Sequence, residues 1–235
     1  ETGAELRSGW QAIIDTPNGP DFREFAILFH EIGDEKAEIF AGDGSKLPVL
    51  DTKISGAYRP GSRAINFRSE PFMDRLMLVG AKSIAYSSYM FGDPATPMQR
   101  SYLGEPTKTR LVHAGSEVFH VFHLHGGGTR WRRNPFADDR MEFAQGLKKT
   151  PTQDARSVRL DSQSIGPGET ITLEHECGAG GCQQTAGDFL WHCHIGSHYV
   201  AGMWSFWRVF DTAQPNLAVL PDRQAAPQAV NSLGL

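Results

Sequence analysis

Two short runs of the sequence carry side chains that can bind metal ions: imidazoles, one thiol and one thioether. The members are His120, His123, His125, His192, Cys193, His194, His198 and Met203. The first three lie in the run HVFHLH and the others in the run HCHIGSHYVAGM, far apart along the chain. Imidazole suits copper, zinc, iron and nickel, whereas thiolate and thioether are soft ligands. Only a folded domain could bring the two runs together.

Both runs have the character of β-strands, in which successive side chains point to opposite faces of a sheet. The alternation therefore predicts two separate sets of ligands. One set consists of His120, Cys193, His198 and Met203, the last two from the loop after the second strand. The other set consists of His123, His125, His192 and His194.

The first set has the ligand types of a blue-copper site, namely two imidazoles, a thiolate and a weak axial thioether. The second set is all imidazole, and the blue-copper set beside it favours copper there too. A structural zinc site is disfavoured, because zinc sites normally lack methionine and a single cysteine among many histidines fits no finger spacing. The isolated His30, His113 and His175 are predicted to be ordinary core or surface residues.

Short apolar segments punctuated by 25 glycines and 14 prolines predict an all-β domain. The candidate strands are 23–31, 63–68, 75–80, 107–114, 117–125, 157–161, 169–176, 188–194 and 203–210. Helical periodicity is weak, and its best candidate lies around 139–147. Long loops inserted into a β-sandwich are predicted at 42–62, 81–106 and 126–156. The run at 129–140 is read as solvated loop.

One domain is expected to occupy most of the chain. The predicted division is an N-terminal extension at 1–20, a single copper-binding domain at 21–212, and a tail at 213–235 that wraps the surface or is disordered. The first ten residues lack the apolar core of a signal peptide, so a processed form or a fragment is expected.

Composition excludes two classes of partner. The formal net charge of −4 gives no electrostatic footprint for nucleic acid. No apolar run approaches the roughly 20 residues of a membrane-spanning helix. Cys177 and Cys182 flank the glycine-rich loop CGAGGC and are spaced for a disulfide, with two free thiols as the alternative.

At the two ligand runs the chain resembles the multicopper oxidases, which include laccases, ferroxidases, bilirubin-oxidase-like and manganese-oxidising enzymes. HVFHLHG is similar to the family motif H-P-F-H-L-H-G, with Val121 in place of proline, and HCHIGSHYVAGM matches H-C-H-x3-H-x4-M. The resemblance spans roughly residues 100–210. It implies a C-terminal cupredoxin domain, that is, a cupredoxin-like Greek-key β-sandwich with long loop insertions.

The resemblance also implies a role for each ligand. The mononuclear type 1 copper would be held by His120, Cys193, His198 and Met203. Type 2 copper would be held by His123. The type 3 pair would be held by His125, His192 and His194. Electrons from a phenol or a metal-ion reductant would enter near His198 and pass from Cys193 through covalent bonds to His192 and His194, where dioxygen is reduced to water.

Two features depart from the family. Its trinuclear copper site uses four H-x-H pairs and this chain contains two, since the remaining histidines are isolated. We therefore expect another cupredoxin domain or chain to supply the two missing pairs, which copies of this chain could not do. The position after His198 is Tyr199, where some bacterial members carry an acid, so the proton donor is not assigned.

Two other functions stay open at this point. A copper nitrite reductase also joins a type 1 site to a second copper, but it needs only one histidine beside the cysteine, whereas His192 and His194 bracket Cys193. A blue-copper electron-transfer or copper-binding module without oxidase activity would also fit the isolated chain. Copper chemistry and the candidate disulfide favour an extracytoplasmic location, whether periplasmic, cell-surface or secreted.

Overall fold

Two five-stranded sheets form the body of the protein. The structure is a computed structural model, and it describes residues 10–31, 43, 63–116, 118–125, 131–132 and 159–223. The strands are β1 Gln11–Ile14, β2 Phe22–Glu31, β3 Arg63–Ile65, β4 Gln99–Tyr102, β5 Thr107–His113, β6 His120–Leu124, β7 Trp131–Arg132, β8 Arg159–Leu160, β9 Ser162–Ile165, β10 Thr170–Glu174, β11 Gly187–Cys193 and β12 Trp204–Phe210. The helices are α1 Phe72–Val79, α2 Lys82–Ala85, α3 Ser88–Phe91 and α4 Gly196–Val200.

The first sheet has the order β1-β2-β5-β10, with β3 pairing on β2, and the second has the order β4-β12-β11-β6-β9. Most neighbours are antiparallel, but β2 pairs parallel with β5 and β12 parallel with β4. Neighbours in a sheet are thus often distant in sequence, because the chain crosses between the sheets. The predicted all-β, cupredoxin-like sandwich is confirmed.

The inward faces of both sheets share one apolar core. Phe25 of β2 packs edge-on against Trp207 of β12, with ring centroids 5.6 Å apart. Phe29 of β2 stacks on Trp191 of β11 at 6.5 Å. These aromatic contacts join the sheets, and burying such large rings contributes much of the stability of a sandwich.

The strand predicted at 75–80 is wrong, because this segment belongs to helix α1. Its run RLMLV is apolar without alternation, and such a run does not distinguish strand from helix. Pro71 precedes the helix and Gly80 ends it with a φ of 66°. Phe72, Leu76 and Val79 recur at helical spacing and contribute to a second apolar cluster with Trp204.

Two loop predictions also need correction. The segment 81–106 contains α2, α3 and strand β4. Trp131, read as part of a solvated loop, is fully buried and lies in the two-residue strand β7. The candidate helix at 139–147 lies outside the described residues, and so do the loops predicted at 42–62 and 126–156, apart from residue 43 and Trp131–Arg132.

Both ends of the described chain pack on the sandwich. Strand β1 pairs with β2, and in the segment after β12 Leu217 and Leu220 are buried. The Tyr102 hydroxyl donates a hydrogen bond to the Leu217 carbonyl at 2.8 Å. Among the described residues, no helix has the length and apolar character needed to cross a membrane.

Candidate metal centre

Three predicted ligands converge in the core: His120, Cys193 and His198. The Nδ1 atoms of His120 and His198 lie 3.0 Å apart. The Sγ atom of Cys193 lies 3.8 Å from the first Nδ1 and 3.5 Å from the second. All three residues are buried. Two nitrogens and one sulfur therefore surround a common point that is screened from water.

The end of β11 and helix α4 bring Cys193 and His198 together. The strand ends at Cys193, and α4 begins at Gly196, so that the chain turns back over the strand end. The N–H of His198 donates to the Ile195 carbonyl at 2.9 Å, which fixes this turn. A sequence separation of five residues between the two ligands suits this strand-to-helix turn.

Met203 is connected to the same ligands through its backbone. Its N–H donates to the carbonyl of His198 at 3.1 Å, and its carbonyl accepts from the N–H of Cys193 at 3.0 Å. Its side chain is wholly buried in the apolar cluster that contains Cys193. The N–H of Val121 donates to Cys193 Sγ at 3.4 Å, and such a contact favours the thiolate form.

The spacing of the three ligand atoms fits a trigonal metal site. Bond lengths of the size known for zinc, about 2.0 Å to nitrogen and about 2.3 Å to sulfur, would put the nitrogens about 3.5 Å apart and each about 3.8 Å from the sulfur. The observed separations of 3.0, 3.5 and 3.8 Å lie within about 0.5 Å of this. Two imidazoles and a thiolate in such an arrangement suit copper.

Burial sets the protonation of these ligands. Desolvation, with smaller effects from nearby cationic groups, lowers the pKa of His120 and of His198 to about 3. Both imidazoles are therefore neutral at physiological pH and have a lone pair for a metal. Burial also raises the pKa of the Cys193 thiol to about 11. A metal ion that binds here must displace the thiol proton.

The four remaining histidines form a second cluster on the outer side of the second sheet. Their ring centroids are 4.7 Å apart for His123 and His125, 4.8 Å for His123 and His194, 5.0 Å for His125 and His192, and 5.7 Å for His192 and His194. His125 and His194 are exposed, whereas His123 and His192 are half-buried. The ligand atoms of His123, His125 and His192 lie within 4.8 Å of one another, so these three imidazoles could hold a metal ion, and the His194 ring packs beside them.

Hydrogen bonds orient two of these rings. Nδ1 of His123 lies 2.8 Å from the Asp161 carbonyl, and Nδ1 of His192 lies 2.8 Å from the Cys193 carbonyl. A carbonyl only accepts, so each Nδ1 carries the proton and each Nε2 keeps a lone pair. Nε2 of His192 faces Nε2 of His125 at 2.9 Å. Burial, together with the neighbouring histidines, lowers the pKa of His192 to about 4.

Tyr199 contacts the second ligand cluster through its ring. Its ring packs on the His192 ring with centroids 4.8 Å apart, and its hydroxyl forms a hydrogen bond with the Tyr86 hydroxyl. Burial raises the pKa of Tyr199 far above its ordinary value. The phenol is therefore protonated at physiological pH.

Sequence reasoning missed two residues around the buried ligands. Glu31, at the end of β2, lies with Oε1 3.3 Å from Nε2 of His120. Arg63, on β3, is buried; its charge contributes to the lowered pKa of His120 and partly offsets the rise that burial causes in the pKa of Cys193. Both residues come from strands that carry no ligand motif, so spacing along the chain gave no signal for them.

The isolated histidines, predicted to be core or surface residues, are buried in the core. His30, His113 and His175 all have little exposed surface. His113 differs from the other two, because its ring stacks on that of His120 at 4.6 Å. The structure also joins Cys177 and Cys182 in a disulfide.

Comparison with known proteins gives one family match. The family described as multicopper oxidase matches residues 76–212. This segment contains both ligand runs. No curated protein matches the chain.

The solved structures that match this chain share little sequence identity with it. One is described as a multicopper oxidase, with 15% identity, 80% of this chain and 44% of that chain aligned, and a TM-score of 0.41. A multicopper oxidase from Campylobacter jejuni, described as a metallo-oxidase, has 17% identity, coverages of 84% and 32%, and a TM-score of 0.46. A copper-containing nitrite reductase from Thermus scotoductus has 13% identity, coverages of 86% and 33%, and a TM-score of 0.43. This chain spans less than half the length of each of these three.

Proposed function

The chain belongs to the multicopper oxidase family, and from this premise we propose that it is the domain of a copper-dependent oxidase that carries a type 1 copper site and half of a trinuclear copper site. One observation carries the proposal. The ligand atoms of His120, Cys193 and His198 converge inside the sandwich, and those of His123, His125 and His192 converge on the outer side of the strand that carries Cys193, with the His194 ring packed beside them. A domain that only stored a single metal ion would not need both sets.

Copper bound at these two places would take single electrons from a phenol or a metal-ion reductant and deliver them to dioxygen, which is reduced to water. The residues of the chain would bind the copper ions and keep the two sites apart. His120, Cys193 and His198 are the proposed type 1 ligands, with Met203 as the axial ligand. His123 is the proposed type 2 ligand. The proposed type 3 ligands are His125, His192 and His194.

Cys193 connects the two places through covalent bonds. It is flanked in sequence by His192 and His194, so the path from its sulfur to either imidazole runs only through side-chain and backbone bonds. Strand alternation directs the thiol inward and His192 outward. The residue types beside the cysteine favour an oxidase over a nitrite reductase, which needs one such histidine.

The outer cluster is proposed to be completed by another domain or chain. Two H-x-H pairs are present where a trinuclear copper site needs four, and the histidines outside the two ligand runs, His30, His113 and His175, are isolated in sequence and form no further pair. The exposure of His125 and His194 supports this, because a partner could reach these rings directly. The Cys177–Cys182 disulfide supports an extracytoplasmic location, where disulfides persist.

Copper titration of the isolated chain tests the type 1 assignment. We expect a single tightly bound copper ion per chain with an intense blue absorption band. A Cys193→Ser variant should lose the band and that copper ion, since the thiolate is the ligand that gives blue-copper sites their character. A wild-type chain that binds copper without any blue band would overturn the proposal.

Addition of a cupredoxin domain that carries the two missing H-x-H pairs tests the rest. Oxidase function predicts further bound copper, near-ultraviolet absorption of a coupled copper pair, and consumption of dioxygen. A blue protein that gains none of these would instead be an electron-transfer module. Turnover of nitrite without uptake of dioxygen would identify the nitrite reductase alternative.

A further inference from the structure

We propose that Glu31 is a positioning residue for the copper ligand His120: its carboxylate accepts the Nε2–H of the imidazole and so leaves Nδ1 to bind copper. The inference rests on the proposed type 1 site and adds a residue that neither ligand motif contains. Oε1 of Glu31 lies 3.3 Å from Nε2 of His120. Among the described residues, both atoms are buried and neither has a well-aligned hydrogen bond to another group. A small rotation of the carboxylate would pair them, and buried polar atoms left unpaired are unfavourable.

The other carboxylate oxygen is fixed separately. Oε2 of Glu31 accepts the backbone N–H of Ser116 at 3.2 Å. The neighbouring residue is Gly115, and a Cβ placed there would come within 1.7 Å of this oxygen. The loop after β5 therefore holds the carboxylate at a position where any side chain at residue 115 would collide with it. Glu31 is anchored at one oxygen and directed towards His120 with the other.

His113 holds the plane of the His120 ring. Its ring stacks on His120 at 4.6 Å, and Phe29 contacts the same ring edge-on at 5.5 Å. Nε2 of His113 donates to the Val118 carbonyl at 2.6 Å, and its Nδ1 accepts the Gly115 N–H at 3.2 Å. Packing thus fixes the plane of His120, and Glu31 selects which of its nitrogens carries the proton.

A second metal site at Glu31, His113 and His120 is the main alternative, since their ligand atoms lie within 4.8 Å of one another. Both nitrogens of His113 are already engaged in hydrogen bonds. His120 has one free lone pair, and its Nδ1 faces Cys193 and His198. A carboxylate that orients a metal-bound histidine is the simpler interpretation, because such outer partners are common in metal sites.

The charge of Glu31 should also affect the reduction potential. A carboxylate beside a ligand stabilises the more positive, oxidised ion, whereas a buried guanidinium has the opposite effect. Arg63 lies directly opposite Glu31 in the pairing of β3 with β2. When the carboxylate charge alone is removed, the positive charge of Arg63 still disfavours the oxidised ion, and the reduction potential of the copper site rises.

Two substitutions separate position from charge. Glu31→Gln keeps the shape and a hydrogen-bond acceptor, so it should keep Cu(I) affinity, whereas loss of the charge weakens Cu(II) binding and shifts the one-electron reduction equilibrium at least tenfold towards Cu(I), which is about 59 mV. Glu31→Ala removes the acceptor as well, and should weaken the binding of Cu(I) too, about 10- to 100-fold. The matched control is Glu24→Gln, on the same strand, whose carboxylate pairs with Arg110 at 2.7 Å. It should change neither quantity.

The outcomes distinguish this inference from the proposed function. A wild-type chain without a blue band means that the type 1 site itself is wrong. A blue wild-type chain whose Glu31 variants match the Glu24 control in affinity and potential means that Glu31 has no positioning role.

A measurement without copper covers the case in which a variant does not fold. Nitrogen-15 NMR of the histidine rings in the wild-type chain should show His120 with its proton on Nε2, and Glu31→Ala should give a mixture of tautomers. A wild-type spectrum with the proton on Nδ1 would overturn the inference, whatever the variants do.

Discussion

His123 and His192 are direct partners in the pairing of β6 with β11, and the next residue of β11, Cys193, lies opposite Phe122. This register places imidazoles opposite each other on the outer face and the thiol opposite an aromatic ring on the inner face. A shift by one residue would exchange the two faces. The register of one strand pair therefore keeps the two proposed copper places apart while one peptide segment connects them.

The exposure of His194 leads to a first prediction. His194→Asn should leave the blue band intact and change the free energy of unfolding by no more than about 0.5 kcal/mol, since exposed side chains contribute little to stability. In the complete oxidase it should abolish near-ultraviolet absorption and uptake of dioxygen. Spectra and oxygen consumption of the same preparation check this. Loss of the blue band in this variant would show that the two ligand sets are not independent.

The proposed axial ligand, Met203, gives a second prediction. Met203→Leu should raise the potential of the blue site, because the weak thioether ligand is lost and the axial ligand tunes that potential. The exchange nearly conserves volume and should cost less than about 1.5 kcal/mol of stability. Redox titration of the blue band measures the effect, with Met98→Leu in the second apolar cluster as the control. A lower potential would show that Met203 is not the axial ligand.

The ligand sets could be predicted from sequence because strand alternation is a local property. His192, Cys193 and His194 are consecutive, so their faces follow from the strand period alone. Helix α1 was missed because its short run RLMLV is apolar at almost every position and does not by itself distinguish strand from helix, and the face that it buries is defined by packing against Trp204. Local sequence carries no information about that contact.

The surroundings of the ligands could not be predicted in the same way. Glu31 and Arg63 come together through the pairing of β2 with β3, across a long intervening segment. Each looks like an ordinary charged residue at a strand end. Their relation to His120 exists only once both sheets have formed, and it is a tertiary contact that no motif records.

Gly202, next to the proposed axial ligand Met203, gives a third prediction. Its φ is +133°, and a Cβ there would lie 1.8 Å from Ser69 Oγ and 2.9 Å from the Arg63 carbonyl. Backbone strain alone should cost about 1–3 kcal/mol in a Gly202→Ala variant, and the collision of the new methyl group with Ser69 and Arg63 should add to this loss of stability. Gly187→Ala is the matched control, since its φ is +129° and nothing lies within 4 Å of its Cβ position. Equal losses in denaturant unfolding would mean that the Gly202 site has room for a methyl group.

His175 gives a fourth prediction, on the dependence of stability on pH. The residue is buried between Trp207 and Trp131, with centroids at 4.9 and 6.1 Å. Its Nε2 lies 2.8 Å from Thr109 Oγ1. Burial lowers its pKa from 6.5 to about 3. Between these two values the unfolded chain binds a proton at this site and the folded protein does not, so stability falls as the pH falls below 6.5.

The size of this effect on stability follows from the pKa of His175 in the unfolded chain. pH 5 lies 1.5 units below the pKa of 6.5 that the imidazole has in the unfolded chain. At 1.36 kcal/mol per pH unit, this difference corresponds to a loss of about 2 kcal/mol in the free energy of unfolding. His120, His192 and His198 have lowered pKa values as well, so the test compares two proteins rather than two pH values. His175→Gln removes this titration and keeps a polar group near Thr109. Between pH 8 and pH 5 the wild-type chain should lose about 2 kcal/mol more stability than the variant in urea unfolding. The same loss in both proteins would show that His175 gains a proton in the folded state as readily as in the unfolded one.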